Sequence, residues 1–157
     1  MGADGGRPGS APRIALADDV ELVRALFREY AEGIGVDLSF QGFEEELAAL
    51  PAGYDAILVA WLAGEPAGCV GVRSLGDGIC EMKRLYLRPA ARGAGVGRAL
   101  AEAVIERARA LGYTRMRLDT MPSMAAAVTL YRSLGFVEIA PYRFNPVPGA
   151  TFMELPL

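Results

Sequence analysis

Histidine is missing altogether from this chain, and lysine occurs once, as Lys83. The first absence removes the side chain most often used as a general base near neutral pH, which leaves acid-base chemistry to Glu, Asp, Tyr, Cys, Lys83 or water. Cysteine is scarce too: Cys69 and Cys80 lie inside strand-like stretches rather than at the turns of a disulfide framework, and they are predicted to be reduced core residues. No apolar run approaches the roughly 20 residues of a membrane span. The first twelve residues also lack the apolar stretch of a signal peptide, so a cytoplasmic location with no membrane partner is expected. Nor is there an excess of positive charge. Sixteen basic against 19 acidic residues, with pI near 5.1, offer no general attraction to nucleic acid. Any anion site must therefore be local, and no metal is expected.

What is present is enough for one core. A length of 157 residues with 52% hydrophobic content suits a single domain. Residues 1–12, rich in Gly and Pro, are predicted to form a disordered tail, and the domain proper to run over residues 13–157. The expected order is strand, two helices, three strands, helix, strand, helix, two strands. Asp18 and Glu21 read as a capping box ahead of Leu22, Val23, Leu26, Phe27 and Tyr30 at helical spacing. Residues 54–62, 66–73 and 79–87 read as three antiparallel strands joined by tight turns. Val96, Leu100, Val104, Ala108 and Leu111 then recur every three to four residues, which marks a helix ended by Gly112. A second such helix is expected from Pro122 and Ser123 to Leu134, with strands over residues 136–140 and 151–155.

The chemistry concentrates in the turn that joins the third antiparallel strand to the first strong helix. Arg92, Gly93, Ala94, Gly95, Val96, Gly97 and Arg98 follow one another there. Small residues let the backbone approach a ligand, and a helix start offers unpaired N–H groups with partial positive charge, a ready phosphate or pyrophosphate site. A P-loop is excluded because Lys83 lies in the preceding strand. A Rossmann fingerprint fails because Arg98 or Leu100 occupies the slot of its third glycine. A tight turn that merely needs glycine is the plain alternative.

Arg92-x-x-Gly95-x-Gly97 resembles the Gln/Arg-x-x-Gly-x-Gly/Ala pyrophosphate loop of the GNAT N-acetyltransferase superfamily. Glu-Met-Lys-Arg-Leu-Tyr-Leu at residues 81–87 and Leu-Tyr-Arg-Ser-Leu-Gly-Phe at residues 130–136 are similar to it as well. With the order of elements, the likeness spans residues 14–155. It implies an α/β fold of α+β type: a mixed, mostly antiparallel sheet of about seven strands flanked by about four helices. It also implies acetyl-CoA as co-substrate and a small-molecule amine as acceptor, attacked directly in a ternary complex. On this reading the strand over residues 79–87 splays from the one after it. Pantetheine then pairs with backbone near Leu85, Tyr86 and Leu87, and the pyrophosphate rests on amides of residues 92–98.

The resemblance assigns further roles. Tyr131 matches the tyrosine that protonates the leaving thiolate. A phenol near pKa 10 facing a thiol near 8.5 makes that transfer modestly uphill, so position matters; the alternative is a core aromatic. Glu81, eleven residues before Arg92, stands where some branches place the general base. The alternatives are a water chain, or a carboxylate that only partners Lys83 or Arg84. Met124 replaces the family's asparagine seven residues before the tyrosine, which makes Ser123 the candidate pantetheine contact or else a helix cap. Acceptor binding is expected from Phe40, Arg84, Tyr142 and Asn145, with Arg143, since arginine forks match carboxylates. Exposed edge strands are compatible with a homodimer. The competing function is an acyl-CoA sensor that kept the pocket and lost the chemistry.

Overall fold

A computed structural model describes residues 11–35 and 37–157, with the side chains of Phe40 and Gln41 outside the described residues. Most of the expected tail, residues 1–10, lies outside them too. The first strand, β1 (Arg13–Leu16), is followed by helix α1 (Val20–Ile34). Asp19 caps α1, not Asp18: its carboxylate accepts from the N–H groups of Glu21 at 3.0 Å and Leu22 at 3.2 Å, and Glu21 pairs with Arg24 instead of reaching back. The helix continues past Tyr30, the last residue of the apolar spacing, and stops where Gly35 takes a left-handed conformation at φ 66°. Its stripe of Val23, Leu26 and Phe27 is buried, as the spacing requires. A single 3-10 turn (Leu38–Gln41) leads into the short helix α2 (Phe43–Ala49).

Strands β2 (Ala56–Leu62), β3 (Glu65–Gly76) and β4 (Ile79–Leu87) form an antiparallel meander, β3 being longer than expected. Helix α3 (Val96–Ala110) returns the chain to β5 (Arg115–Thr120), which pairs parallel to β4. Helix α4 occupies Ala125–Ser133, shorter at its start than predicted, with Met124 rather than Ser123 at the cap position. Strands β6 (Val137–Ile139) and β7 (Thr151–Pro156) close a seven-stranded sheet in the order β1-β2-β3-β4-β5-β7-β6.

Apolar side chains fill both faces of that sheet. Leu100, Val104 and Ala108 of α3 pack with Leu118 and Met153 on one side, and Leu26, Phe27 and Leu47 pack with Val59 and Cys69 on the other. Each fully buried Leu or Phe contributes about 1.5–3 kcal/mol relative to exposure. Cys69 and Cys80 are free and buried, the expected core role. Among the described residues no helix is long and apolar enough to cross a membrane.

One irregularity shapes the site. Between the β3–β4 pairs Cys69↔Tyr86 and Gly71↔Lys83, β4 carries one residue more than β3. Arg84 takes up this bulge in the left-handed region at φ 61°. Beyond it β4 bends, and its parallel pairing with β5 is confined to Ile79↔Arg115, Cys80↔Met116 and Glu81↔Arg117. The two strands separate after that point.

Candidate active site

The separation of β4 and β5 leaves a gap in the middle of the sheet. Met82, Lys83, Arg84 and Leu85 line it from β4, and Leu118, Asp119 and Thr120 from β5. Tyr30, Met121, Met124 and Tyr131 close it, around a cavity of about 20 Å³. The hydroxyl of Thr120 is buried there without a hydrogen-bond partner among the described residues. Tyr131 is 5% exposed and tilted against Phe136, with ring centroids 5.6 Å apart. Burial, with Tyr30 and Asp119 nearby, pushes its phenol well above the ordinary value, so it stays a protonated donor.

A second, open groove of about 500 Å³ adjoins the gap, and Tyr30, Leu85 and Met124 line both. Along it lie Leu85, Tyr86, Leu87, Arg92, Gly93, Gly97 and Ser123, seven residues expected at the nucleotide side. Ala94, Gly95, Val96 and Arg98 are not on its wall. Val96 is fully buried in the core, and Arg98 turns to the Ser133 hydroxyl at 2.6 Å and to Glu102. Between the groove-lining Gly93 and Gly97, Gly95 sits at φ 78° in the cap position of α3, and among the described residues no side chain caps that helix. The first amides of α3 therefore remain available to an anion. The first turn also runs close to β4, since a Cβ on Gly97 would stand 3.3 Å from a Leu87 methyl. An apolar groove running past uncapped amides fits a pantetheine chain and its diphosphate.

Several residues expected to act at the site are buried and already paired. Arg84, expected to bind an acceptor carboxylate, is 3% exposed and spends its guanidinium on Glu46. Its Nε and Nη2 donate to the two Glu46 oxygens at 3.0 and 2.7 Å, beneath the rings of Tyr30 and Phe43. Tyr54 donates to the same carboxylate at 2.5 Å. Desolvation opposes the Glu46 charge, but Arg84 and Tyr54 outweigh it and hold the acid below its usual value. Glu81, expected as a base, is fully buried. It accepts from Arg73 Nε at 2.9 Å and from the Tyr142 hydroxyl at 2.5 Å, and the Arg143 guanidinium touches it too. A carboxylate so occupied ties β3, β4 and the loop before β7 together, and Glu81 is not among the residues that line the gap.

Tyr142 spends its hydroxyl on that anchor and packs edge-on against Phe152 at 5.2 Å, with Arg117 and Arg143 over its face. Asn145 donates to Asp119 at 3.1 Å and accepts from the Val147 N–H, so it holds the loop to β5. Phe40 lies outside the residues whose side chains are described.

Sequence reasoning missed Tyr30, Asp119 and Thr120. The signal for Tyr30 was present, but at helical spacing it reads as core. Lys83 stood in the sequence as one of the chain's few acid-base options and as a possible partner of Glu81, with no assigned role at the site. In the gap it is 7% exposed, and burial, aided by Arg84 and Arg73 against the pull of Glu46 and Asp119, lowers its amine to about 7. Desolvation acts oppositely on the thiols. Cys80 is pushed up to about 12 and Cys69 further, which keeps both protonated and unreactive.

Comparison with known proteins agrees with this geometry. Residues 20–136 match the acetyltransferase (GNAT) family. The chain is 40% identical over 152 residues to the uncharacterized N-acetyltransferase C1271.07c of Schizosaccharomyces pombe, covering 93% of each. It is 35% identical over 94 residues to the N-acetylaspartate synthetase of Xenopus tropicalis, covering 59% of this chain and 35% of that one. Among solved structures, YncA of Salmonella typhimurium with its cofactor acetyl-CoA superposes with a TM-score of 0.68 at 27% identity, over 93% of this chain and 94% of that one.

Proposed function

The chain belongs to the acetyltransferase (GNAT) family and is an N-acetyltransferase using acetyl-CoA, and on that premise we propose that its acceptor is a small amine bearing a carboxylate, acetylated by direct attack. Acetyl-CoA supplies the activated acetyl thioester. The observation that carries the reading is the adjacency of two spaces: a groove that runs past the first turn of α3 shares Tyr30, Leu85 and Met124 with the gap lined by Tyr131.

Each end of that path has its own task. Backbone amides from Gly95 onward hold the diphosphate, aided by the helix dipole. Arg92, exposed on the groove wall, adds charge from solvent. Tyr131, kept protonated by burial, donates to the departing sulfur; the same dry surroundings that raise the phenol also raise the thiol, so the two shifts offset each other and the transfer stays modestly uphill. Cys69 and Cys80 are no candidates for an acyl-enzyme, so the amine attacks without a covalent relay.

Charge supports the acceptor class. Where β4 and β5 are still paired, next to the gap, Arg73 and Arg143 share Glu81, while Arg115 and Arg117 share Glu154. Four guanidinium groups against two carboxylates leave a surplus that suits an anionic acceptor. A relative named for making N-acetylaspartate, an acetylated amine with carboxylates, points the same way. Glu81 positions this cluster rather than taking the proton.

The test is CoA release against a panel of amines, amino acids and peptides. Carboxylate-bearing amines are expected to turn over fastest. Tyr131→Phe should lower turnover about 100-fold with acetyl-CoA affinity unchanged by calorimetry. Binding without release across the panel would replace the enzyme reading with a sensor, and equal turnover in Tyr131→Phe would remove its acid role.

A further inference from the structure

Proton removal from the acceptor lacks an owner, because the chain has no histidine and the buried oxygens of Glu81 already accept from Arg73 and Tyr142. Resting on the acyltransfer reading above, we propose that Lys83, the chain's single lysine, is the general base that takes a proton from the acceptor's ammonium.

Geometry comes first. Lys83 lies beside the bulge at Arg84, at the point where β4 has just parted from β5, and lines the same cavity as Tyr131. An acceptor nitrogen that attacks a thioester held in that gap does so between walls to which both residues contribute. The groups facing the amine come from every surrounding element: Tyr30 of α1, Glu46 of α2, Arg73 of β3, Arg84 of its own strand, Asp119 of β5 and Tyr131 of α4. Glu46 is committed to Arg84, and Asp119 accepts from Asn145. Tyr30 and Tyr131 are both raised by burial and stay protonated. Lys83 alone of these is poised near neutrality, at about 7, where a base is most effective. The α-ammonium of a peptide N-terminus titrates at about 7.7–8.0, close to Lys83, and that of a free amino acid is more basic, so transfer from such an acceptor runs uphill and is drawn forward by the attack on the thioester.

The protons balance. One leaves the ammonium for Lys83, which later releases it to water. As the N–C bond forms and the C–S bond breaks, a second leaves the nitrogen and restores the one that Tyr131 gives to sulfur. Acetylated amine, free thiol and one solvent proton result.

A single lysine makes the proposal directly readable. Lysine labelled with 13C at Cε yields one side-chain signal, and its pH titration in the whole protein reports Lys83 without any turnover. That signal should titrate near 7, and kcat/KM for CoA release should rise through the same midpoint. Growth on the less basic analogue γ-thialysine replaces position 83 alone; both midpoints should move toward acid together, which a purely structural lysine would not produce. Lys83→Met should cut kcat/KM about 100-fold or more and abolish the acidic limb, with acetyl-CoA binding kept. A Lys83 signal that titrates only near its ordinary value of about 10.4 would overturn the role. So would an acidic limb that survives in Lys83→Met. Failure of the native chain to bind acetyl-CoA would instead sink the acyltransfer reading, a distinct outcome scored by calorimetry.

Discussion

At the α3 end of the site the ligand-facing groups are backbone amides, exposed by glycines at positive φ and backed by few side-chain contacts. At the β4 end the site is framed instead by charged side chains, mostly buried and paired across four elements: Glu46 with Arg84, and Glu81 with Arg73, Tyr142 and Arg143. The first half obtains its field from the peptide dipole, needs no burial and tolerates solvent. The second has taken charges out of water, so every member depends on its partner. Damage to the nucleotide end should therefore appear as lost affinity, and damage to the acceptor end first as lost stability.

The sharpest break in that contrast is Glu46→Ala, which strands Arg84 as an unpaired buried charge. Urea unfolding is expected to show a loss of about 3–5 kcal/mol. The double variant Glu46→Ala/Arg84→Met should recover part of it. A cost below about 1 kcal/mol, the range of an exposed pair, would mean that Arg84 is solvated.

Lys83 sharpens the comparison through pH. Its folded pKa of about 7 lies below its unfolded value, so between those two the unfolded chain binds more protons and stability rises with pH. Relative to Lys83→Met, the native chain should gain about 2 kcal/mol from pH 7 to pH 9 in urea titrations. A pH-independent difference between the two would contradict the burial of the amine.

Gly95→Ala touches only the nucleotide end. An alanine at φ 78° costs about 1–2 kcal/mol, and it disturbs the amides that start α3. Acetyl-CoA binding should weaken in calorimetry, while the pH dependence of turnover keeps its midpoint. A shifted midpoint would show that the two ends are coupled.

The elements were legible in the chain because helix and strand periodicity differ, and because Gly, Pro and Asp punctuate them. The boundaries were less so: Asp18 and Asp19 are both plausible caps in sequence, and only backbone geometry picks Asp19. Seven of the expected nucleotide-side residues line the groove, since a glycine turn ahead of a helix is a local feature. The acceptor side fared worse. Arg84, Tyr142 and Asn145 carry groups that suit a carboxylate, yet each is spent on a partner far away in sequence, Glu46, Glu81 and Asp119.

By itself, then, the sequence determined the order of elements, the glycine turn that frees the α3 amides and the absence of any histidine base, because these follow from neighbouring residues and composition. Tertiary structure alone decided where β4 parts from β5, which carboxylates are already occupied, and that the one lysine is buried enough to lose its proton near neutrality. Those outcomes depend on desolvation and on charges contributed by distant strands and helices, and no stretch of chain carries them by itself.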